Sequence, residues 1–273
     1  MWTRTARSPA CSKKEKNPMD MTQESCRAFV AAVASRAPAP GGGGGAALVG
    51  AIGTALGHMA GALTVGKPRY AQVQESLTAV MGQCDELQAL LLDQVEADGR
   101  GFAPLLRAYA LDRADPGRQA AIEKASMDAC AVPLRIMELC GQALECMAVF
   151  AAQCSRHTIS DVGCGVVLCK SALQAASLNV FINTATIKNR AAAGELNQRA
   201  NRLLETYCPL SPECRSLLQQ VFTRMHLSAR GYQRIRKVAR TIADLEGREQ
   251  IEPRHLSEAI RYRSLPLLQE ETL

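Results

Sequence analysis

Apolar residues recur at three- and four-residue steps along most of this chain, which is the spacing of a helix face. Between 69 and 98 the series Val73, Leu77, Val80 (with Met81), Leu87 and Leu91 draws one such face. The same reading predicts helices over 22–36, 46–65, 100–110, 116–152 and 161–206. Asp115 and Pro116 mark a helix start as cap and first-turn residue. Pro133 predicts a kink in the helix that follows. No alternating strand or hairpin pattern is found, and Ala and Leu are abundant, so the expected fold class is all-α, a helical bundle with short loops.

Beyond Cys208-Pro209-Leu210-Ser211-Pro212 the pattern restarts. Ile235, Val238, Ala239, Ile242 and Leu245 share one face, Gly247 offers a tight turn, and Pro253 opens a last helix with Leu256, Ala259 and Ile260 inside. The expected division is a basic disordered tail at 1–21, a bundle at 22–206, a linker at 207–211, a small helical module at 212–265 and a tail at 266–273.

One stretch is apolar all round. Ala46 to Val65 holds no Asp, Glu, Lys or Arg, and its length is near the roughly 20 residues a bilayer span needs. It leans on Ala and Gly rather than Leu, Ile and Phe, and it contains His58. The reading is therefore a helix buried in a soluble bundle or oligomer, with Gly53, Gly57 and Gly61 letting a neighbour come close, and not a membrane span. Ahead of it stands Pro38-Ala39-Pro40 and five glycines, Gly41 to Gly45. Glycine imposes no side chain and allows a sharp turn. A glycine loop entering a helix N-terminus offers free N–H groups and the positive dipole end to an anion. The alternative is a flexible linker.

Charge refines the picture. Of the net +6, residues 1–21 supply +3, from five basic and two acidic residues. Residues 207–273 supply another +3, from 11 basic and eight acidic ones, and the long middle part is neutral. Nucleic acid is thus an unfavoured partner. The 11 cysteines are scattered and never form Cys-x-x-Cys, which predicts small core hydrophobes in a reduced, cytoplasmic compartment and no metal site. The basic N-terminus has no apolar core and is no secretory signal; a tail, or a start at Met19 or Met21, is expected.

Polar residues with chemical potential are few. Lys67, with Arg69 and Tyr70, follows the apolar helix and is a candidate for an anionic ligand, or a solvated C-terminal lysine. Asp98, two residues after Glu96, is a candidate acid or base, or a charged helix end. Asp161 follows Ser160 at a helix start, where Ser160 as cap is the structural alternative. His157 alone makes no metal site. Asn179 and Asn183 share a helix face in an apolar run, as ligand contacts or core network. No P-loop, nucleophile elbow or zinc-protease motif is present.

In order along the chain, Pro-Ala-Pro-Gly-Gly-Gly at 38–43, Leu-Thr-Val-Gly-Lys at 63–67 with Tyr70, Asp98 with Phe102, Val-Pro-Leu at 132–134, Ser-Asp-Val-Gly at 160–163 and Leu-Asn-Val-Phe-Ile-Asn at 178–183 resemble the cyclodeaminase/cyclohydrolase family. The resemblance spans about 22–206. It implies a helical homodimer with a tetrahydrofolate derivative as substrate and no permanently bound cofactor. It further implies Asp98, Asp161 and Lys67 as catalytic candidates, and Gly41, Gly42, Gly43, Tyr70, Asn179 and Asn183 as substrate-binding ones. The implied chemistry is conversion of a formimino adduct to the methenyl species with release of ammonia, or hydrolysis of the methenyl species. Gly44 departs from the family's serine, Gly101 from its alanine, and the asparagine common near His157 is missing. No formiminotransferase domain precedes the bundle in this sequence, so the channelled bifunctional enzyme is not expected of this chain alone. An inactive helical interaction protein is the competing class.

The last module resembles another family. Leu-Ser-Ala-Arg-Gly-Tyr at 227–232, Val-Ala-Arg-Thr-Ile-Ala-Asp-Leu at 238–245 and Arg-Tyr-Arg-Ser-Leu at 261–265 are similar to the C-terminal lid of magnesium-chelatase-like AAA+ ATPases. Arg230 falls at that lid's nucleotide-sensing arginine. Without Walker motifs no ATP hydrolysis is expected, and an AAA+ protein is the implied partner.

Overall fold

The computed structural model describes residues 21–209 and 229–264. Within them every long element is a helix and no strand forms. The chain divides into two compact units, at Tyr207–Cys208.

The first unit holds α1 (Cys26–Val33), α2 (Gly42–Ala62), α3 (Gln74–Ala110), α4 (Arg118–Asp128), α5 (Ala131–Gln153), α6 (Ile159–Thr184) and α7 (Arg190–Tyr207). Ser25 caps α1, its side chain accepting from the Ala28 N–H at 3.2 Å. Short 3-10 turns at Met21–Gln23, Pro68–Val73 and Arg156–Thr158 join the longer helices.

Helix α2 lies at the centre, against α3, α5 and α6. Small residues permit this. A Cβ at Gly50 would lie 2.8 Å from Cys140 Sγ, one at Gly57 2.3 Å from Met147 Cε, and one at Gly61 2.9 Å from Phe150 Cε1. At Gly53 the nearest atom is Cys169 Sγ at 2.7 Å, and α6 backbone follows, with the Gly165 carbonyl oxygen 3.0 Å and the Cys169 nitrogen 3.1 Å away. The predicted glycine stripe is therefore the surface on which α5 and α6 rest, and Gly165 of α6 answers it, with Gly53 O 2.8 Å from its ideal Cβ. The core is completed by Leu77, Leu91, Leu134, Ile136, Met137, Leu139, Met147, Phe150 and Leu173, all fully buried. Several cysteines join them: Cys84, Cys130, Cys140 and Cys169 have no exposed surface, and burial pushes the Cys169 thiol up to about 11. No disulfide forms among the described residues.

Several boundaries differ from the sequence reading. Helix α2 begins at Gly42, not Ala46, so the glycine run is a helical turn rather than a loop. Gly41 is its cap, with extended backbone, and among the described residues only Gly66 and Gly247 adopt positive φ. The segments 69–98 and 100–110 form one helix, α3, which runs through Gly99, Gly101 and Pro104. Leu105 and Ala108, on its last turns, pack on Ile122, Ala125 and Ala129, and this cluster carries the helix past its proline. Segment 116–152 breaks at Ala129–Cys130. Pro133 then falls in the first turn of α5, where a missing N–H costs nothing, so it makes no kink. Asp115 Oδ1 accepts from the Gly117 N–H at 2.7 Å, a turn ahead of the helix rather than its cap. Segment 161–206 breaks after Thr184.

Two helical spans, Gly42–Ala62 and Arg156–Thr184, are long and apolar enough to cross a membrane by length and composition alone. Half of the first is buried inside the bundle.

The second unit contains α8 (Ala229–Leu245) and α9 (Pro253–Ser264). Ile235, Ala239, Ala243, Ile251, Leu256 and Ala259 form its core. His255 is fully buried and acts as a pin: its Nδ1 accepts from the Glu252 N–H at 2.9 Å, and its Nε2 lies 3.1 Å from Glu246 Oε2. Gly247, at φ +65, makes the turn after α8. Arg230 stands in the first turn of α8, and its side chain lies outside the described residues.

Candidate active site

The first turn of α2 builds the site. The Gly45 N–H bonds the Gly41 carbonyl at 2.9 Å, the first rung of the helix. The N–H groups of Gly42, Gly43 and Gly44 therefore precede the ladder and point out of the helix end. One is taken: Gly44 N–H donates to Asp98 Oδ2 at 2.9 Å. Asp98, from the middle of α3, lies flat against this turn. An ideal Cβ at Gly43 would sit 2.1 Å from Asp98 Oδ1 and 2.5 Å from its Cγ. Only glycine leaves room for the carboxyl group there.

Asn179 of α6 closes another side. Both its amide atoms lie 3.7 Å from an ideal Cβ at Gly42. Its Nδ2 bonds back to the Ala175 carbonyl at 3.3 Å. Asn183, one turn on, is held by the structure: its Nδ2 donates to the Ala129 carbonyl at 3.1 Å, tying α6 to the α4–α5 junction. Burial pushes the Asp98 carboxyl above its usual range, and the Gly44 hydrogen bond offsets part of that rise. Half-buried among helix-end N–H groups, Asp98 is suited to hold a proton and give it to a basic nitrogen.

Glu96 serves another purpose. Its Oε1 accepts from the Met21 and Thr22 N–H groups, the latter at 3.2 Å, and so fastens the N-terminal 3-10 turn to α3. Its Oε2 is buried with no partner among the described residues.

The other candidates lie at the far end of α2. The Ser155 N–H donates to Thr64 Oγ1 at 3.0 Å, joining the exit of α2 to the entry of α6. Lys67 and Tyr70 follow that joint on one side and Asp161 on the other. Lys67 is exposed, with extended backbone ahead of the Pro68–Val73 turn, and Arg69 places its guanidinium 5.9 Å from the Tyr70 ring centre. Asp161 is half-buried in the first turn of α6. Ser160 does not cap it, because the helix already begins at Ile159; Ser155 caps the preceding 3-10 turn instead, accepting from the His157 N–H at 3.4 Å.

Helices α2 and α6 thus run antiparallel, Gly42 beside Asn179, Gly53 beside Cys169, and Thr64 bonded to Ser155. From Gly42 to Ala62 the axis is about 30 Å long, and Asp161 stands about 27 Å along α6 from Asn179. The structure brings Gly41–Gly44, Asp98 and Asn179 together. It does not bring Lys67, Tyr70 or Asp161 to them within one copy of the chain. Gly44 was singled out in the sequence only as a missing hydroxyl; its N–H is the one protein hydrogen bond that Asp98 receives among the described residues. No group of three or more potential metal-ligating side chains occurs among the described residues.

The description formiminotransferase-cyclodeaminase matches residues 25–202, well over half of the sequence. The chain belongs to the formiminotransferase-cyclodeaminase family. Within it, the methenyltetrahydrofolate cyclohydrolase of Methylorubrum extorquens is 34% identical over 185 residues, 66% of this chain and 89% of that protein. The formimidoyltransferase-cyclodeaminase of Rattus norvegicus is 30% identical over 66% of this chain, which spans only 34% of that longer protein. In structure, formiminotetrahydrofolate cyclodeaminase from Thermotoga maritima superposes with a TM-score of 0.57 at 24% identity, covering 68% of this chain and 98% of that one, which shows a shared helical fold. A second description, the C-terminal part of magnesium chelatase subunit ChlI, matches residues 174–263. That match begins within α6, upstream of the expected position 212, and runs through α8 and all but the last residue of α9.

Proposed function

We propose that this family member is a folate one-carbon enzyme that hydrolyses 5,10-methenyltetrahydrofolate, with Asp98 as its proton-transfer group. The observation that carries this reading is the fit of the Asp98 carboxyl into the glycine turn, with Oδ1 only 2.1 Å from where a Gly43 side chain would begin. The relative matched over most of its own length is named a methenyltetrahydrofolate cyclohydrolase, which favours the hydrolytic reaction over the deaminating one.

In that reaction water adds to the cationic methenyl carbon and loses a proton. One carbon–nitrogen bond then breaks, the leaving nitrogen takes up a proton, and a formyl group stays on the other nitrogen. One proton is released overall. A carboxyl group whose affinity for protons is raised by burial can accept from the water and return the proton to the leaving nitrogen. Gly42 and Gly43 keep N–H groups ahead of the helix ladder, where they can donate to a carbonyl or carboxylate of the substrate. The active species is a homodimer, and the second unit serves as a docking module for an AAA+ protein without hydrolysing ATP itself.

The cyclodeaminase reaction is the second reading, favoured by the names of the longer relatives. It needs the same proton, delivered to the departing amino group. One assay separates the two: loss of methenyl absorbance on adding enzyme to the methenyl substrate, or gain of it, with ammonia, from the formimino adduct. Wild-type turnover of either with Asp98→Asn reduced about 100-fold or more supports the role of Asp98. Full activity in Asp98→Asn removes it.

A further inference from the structure

Two residues before Asp98 on α3, Glu96 holds the N-terminal 3-10 turn from far along the chain. Its Oε1 accepts from both the Met21 and the Thr22 N–H. Its Oε2 is buried and bonds nothing among the described residues. A carboxylate oxygen buried without a partner costs stability, and a group kept at such a cost calls for an account beyond packing.

The contacts of the turn supply one. Met21 Cε lies 3.6 Å from an ideal Cβ at Gly99, and Ala39 Cβ lies 3.0 Å from the same point. The residue next to Asp98 is therefore covered twice, by the Met21 side chain and by the Pro38-Ala39-Pro40 segment. That segment continues towards the carboxyl group. Pro40 is buried, its Cβ 3.5 Å from an ideal Cβ at Gly44. Asp98 Oδ2 lies 3.8 Å from that same position and 3.9 Å from an ideal Cβ at Gly41. Glu96, the Met21–Gln23 turn, the proline segment and the glycine turn thus form one continuous cover over this part of α3.

Cover rather than charge governs Asp98. Burial is the largest cause of its raised proton affinity, and the Gly44 N–H works against it. The segments around it, 21–23, 38–45 and 178–183, contain no titratable side chain. On α3 itself the nearest charges are Glu96 and Arg100. On α5, which reaches Gly101 through Val132, Arg135 is paired with Glu138.

We propose that Glu96 is a positioning residue for the reaction: by clamping the Met21–Gln23 turn over Gly99 it holds the cover that keeps water from Asp98. The proposal rests on the functional reading above for the role of Asp98.

The test compares three variants of the full chain. Glu96→Ala removes the acceptor. Glu96→Gln removes the charge but keeps a carbonyl oxygen for the two N–H groups. Met21→Ala keeps both N–H groups and empties the space beside Gly99. With the methenyl substrate, Glu96→Ala and Met21→Ala are expected to move the acidic limb of the kcat profile to lower pH, because water reaching Asp98 favours its ionised form. Glu96→Gln is expected to keep the wild-type limb. In Glu96→Ala kcat falls, by up to about 100-fold as the carboxyl loses its fixed place, and KM changes less. A merely structural role lowers the folded fraction and leaves the limb where it was. An unmoved limb in folded Glu96→Ala and Met21→Ala overturns the proposal, and so does a limb moved as far by Glu96→Gln, which assigns the effect to charge. If Glu96→Ala does not fold, Met21→Ala decides.

A second readout needs no activity. The rise in melting temperature at neutral pH on Asp98→Asn reports how strongly the fold disfavours the ionised carboxyl. That gain is expected to shrink in the Glu96→Ala and Met21→Ala backgrounds and to persist in Glu96→Gln. An undiminished gain in the first two overturns the proposal. Silence of the wild type with both folate substrates sinks the functional reading alone, and the melts still decide whether Glu96 holds the cover.

Discussion

Gly43→Ala isolates the feature on which the active-site reading depends. The added methyl carbon would start 2.1 Å from Asp98 Oδ1 and 2.8 Å from Oδ2, against a normal carbon–oxygen contact above 3 Å. The carboxyl group must retreat by about 1 Å or more, and in doing so it gives up the 2.9 Å bond from the Gly44 N–H. A hydrogen bond to a charged group contributes about 1.5–3 kcal/mol, while alanine in a helix gains at most about 1 kcal/mol over glycine. The net effect on stability is thus a loss of about 0.5–2 kcal/mol. Activity suffers more, because a 1 Å displacement of a reacting group can cost about 100-fold. The assay is kcat/KM with the methenyl substrate, beside a thermal melt of the same preparation. Gly82→Ala is the control: it stands within α3, with nothing inside 4 Å of its ideal Cβ, and should match or exceed wild-type stability with unchanged turnover. Wild-type kcat/KM in Gly43→Ala would refute the argument, since Asp98 could not then be needed where the structure places it.

Four further outcomes follow from other contacts. Asp98→Asn should raise the melting temperature at neutral pH. A folded-state affinity for protons raised by burial means that stability from this group is complete below the unfolded carboxyl pKa and is lost as pH rises through the folded one, so the variant and wild type should converge near pH 3. Gly44→Ser should be tolerated, its Cβ meeting Val95 O at 3.4 Å and Asp98 Oδ2 at 3.8 Å; a hydroxyl bonded to Asp98 would favour the ionised form and shift the acidic limb of the pH–rate profile to lower pH. Gly53→Ala should destabilise by about 1–3 kcal/mol in chemical denaturation, because besides the Cys169 thiol at 2.7 Å its Cβ meets α6 backbone atoms at 3.0 and 3.1 Å that cannot swing away. His255→Ala should speed hydrogen exchange at 251–256 in the full chain, leaving α2 and α3 unchanged, since it strips the Glu252 N–H of its acceptor.

How much of this was legible in the sequence differs between helix and site. The period of Val73, Leu77, Val80, Leu87 and Leu91 was sufficient for α3, and the glycine stripe of α2 named its own packing surface before any neighbour was known. The start of α2 was not legible, because five glycines have poor helix propensity and read as a loop. They are helical because the rest of α2 is held by α3, α5 and α6, and Gly43 is glycine because Asp98 comes too close for any side chain there. The break at Ala129–Cys130 has no local signal; it is stabilised by Asn183 bonding the Ala129 carbonyl from 54 residues away. Pro104 and Pro133 point the same way: tertiary packing and position within the turn decided what each proline did. For the candidate site, the sequence named Asp98, the glycine turn and Asn179, which the structure brings together, and also Lys67, Tyr70 and Asp161, which it leaves at the far end of α2.

The packing of α2 explains why it is both apolar and small. A helix that passes through a bundle with one face on α5 and α6 has to be stripped to glycine and alanine there, and the same helix keeps larger residues on the opposite face. If that face were meant for water, Ile52, Met59 and Leu63 would be poor choices, since each exposes apolar area with no compensating contact. One helix thus arranges both the packing of the bundle and the candidate site, its glycines admitting α5 and α6 and its N-terminal turn shaped around Asp98.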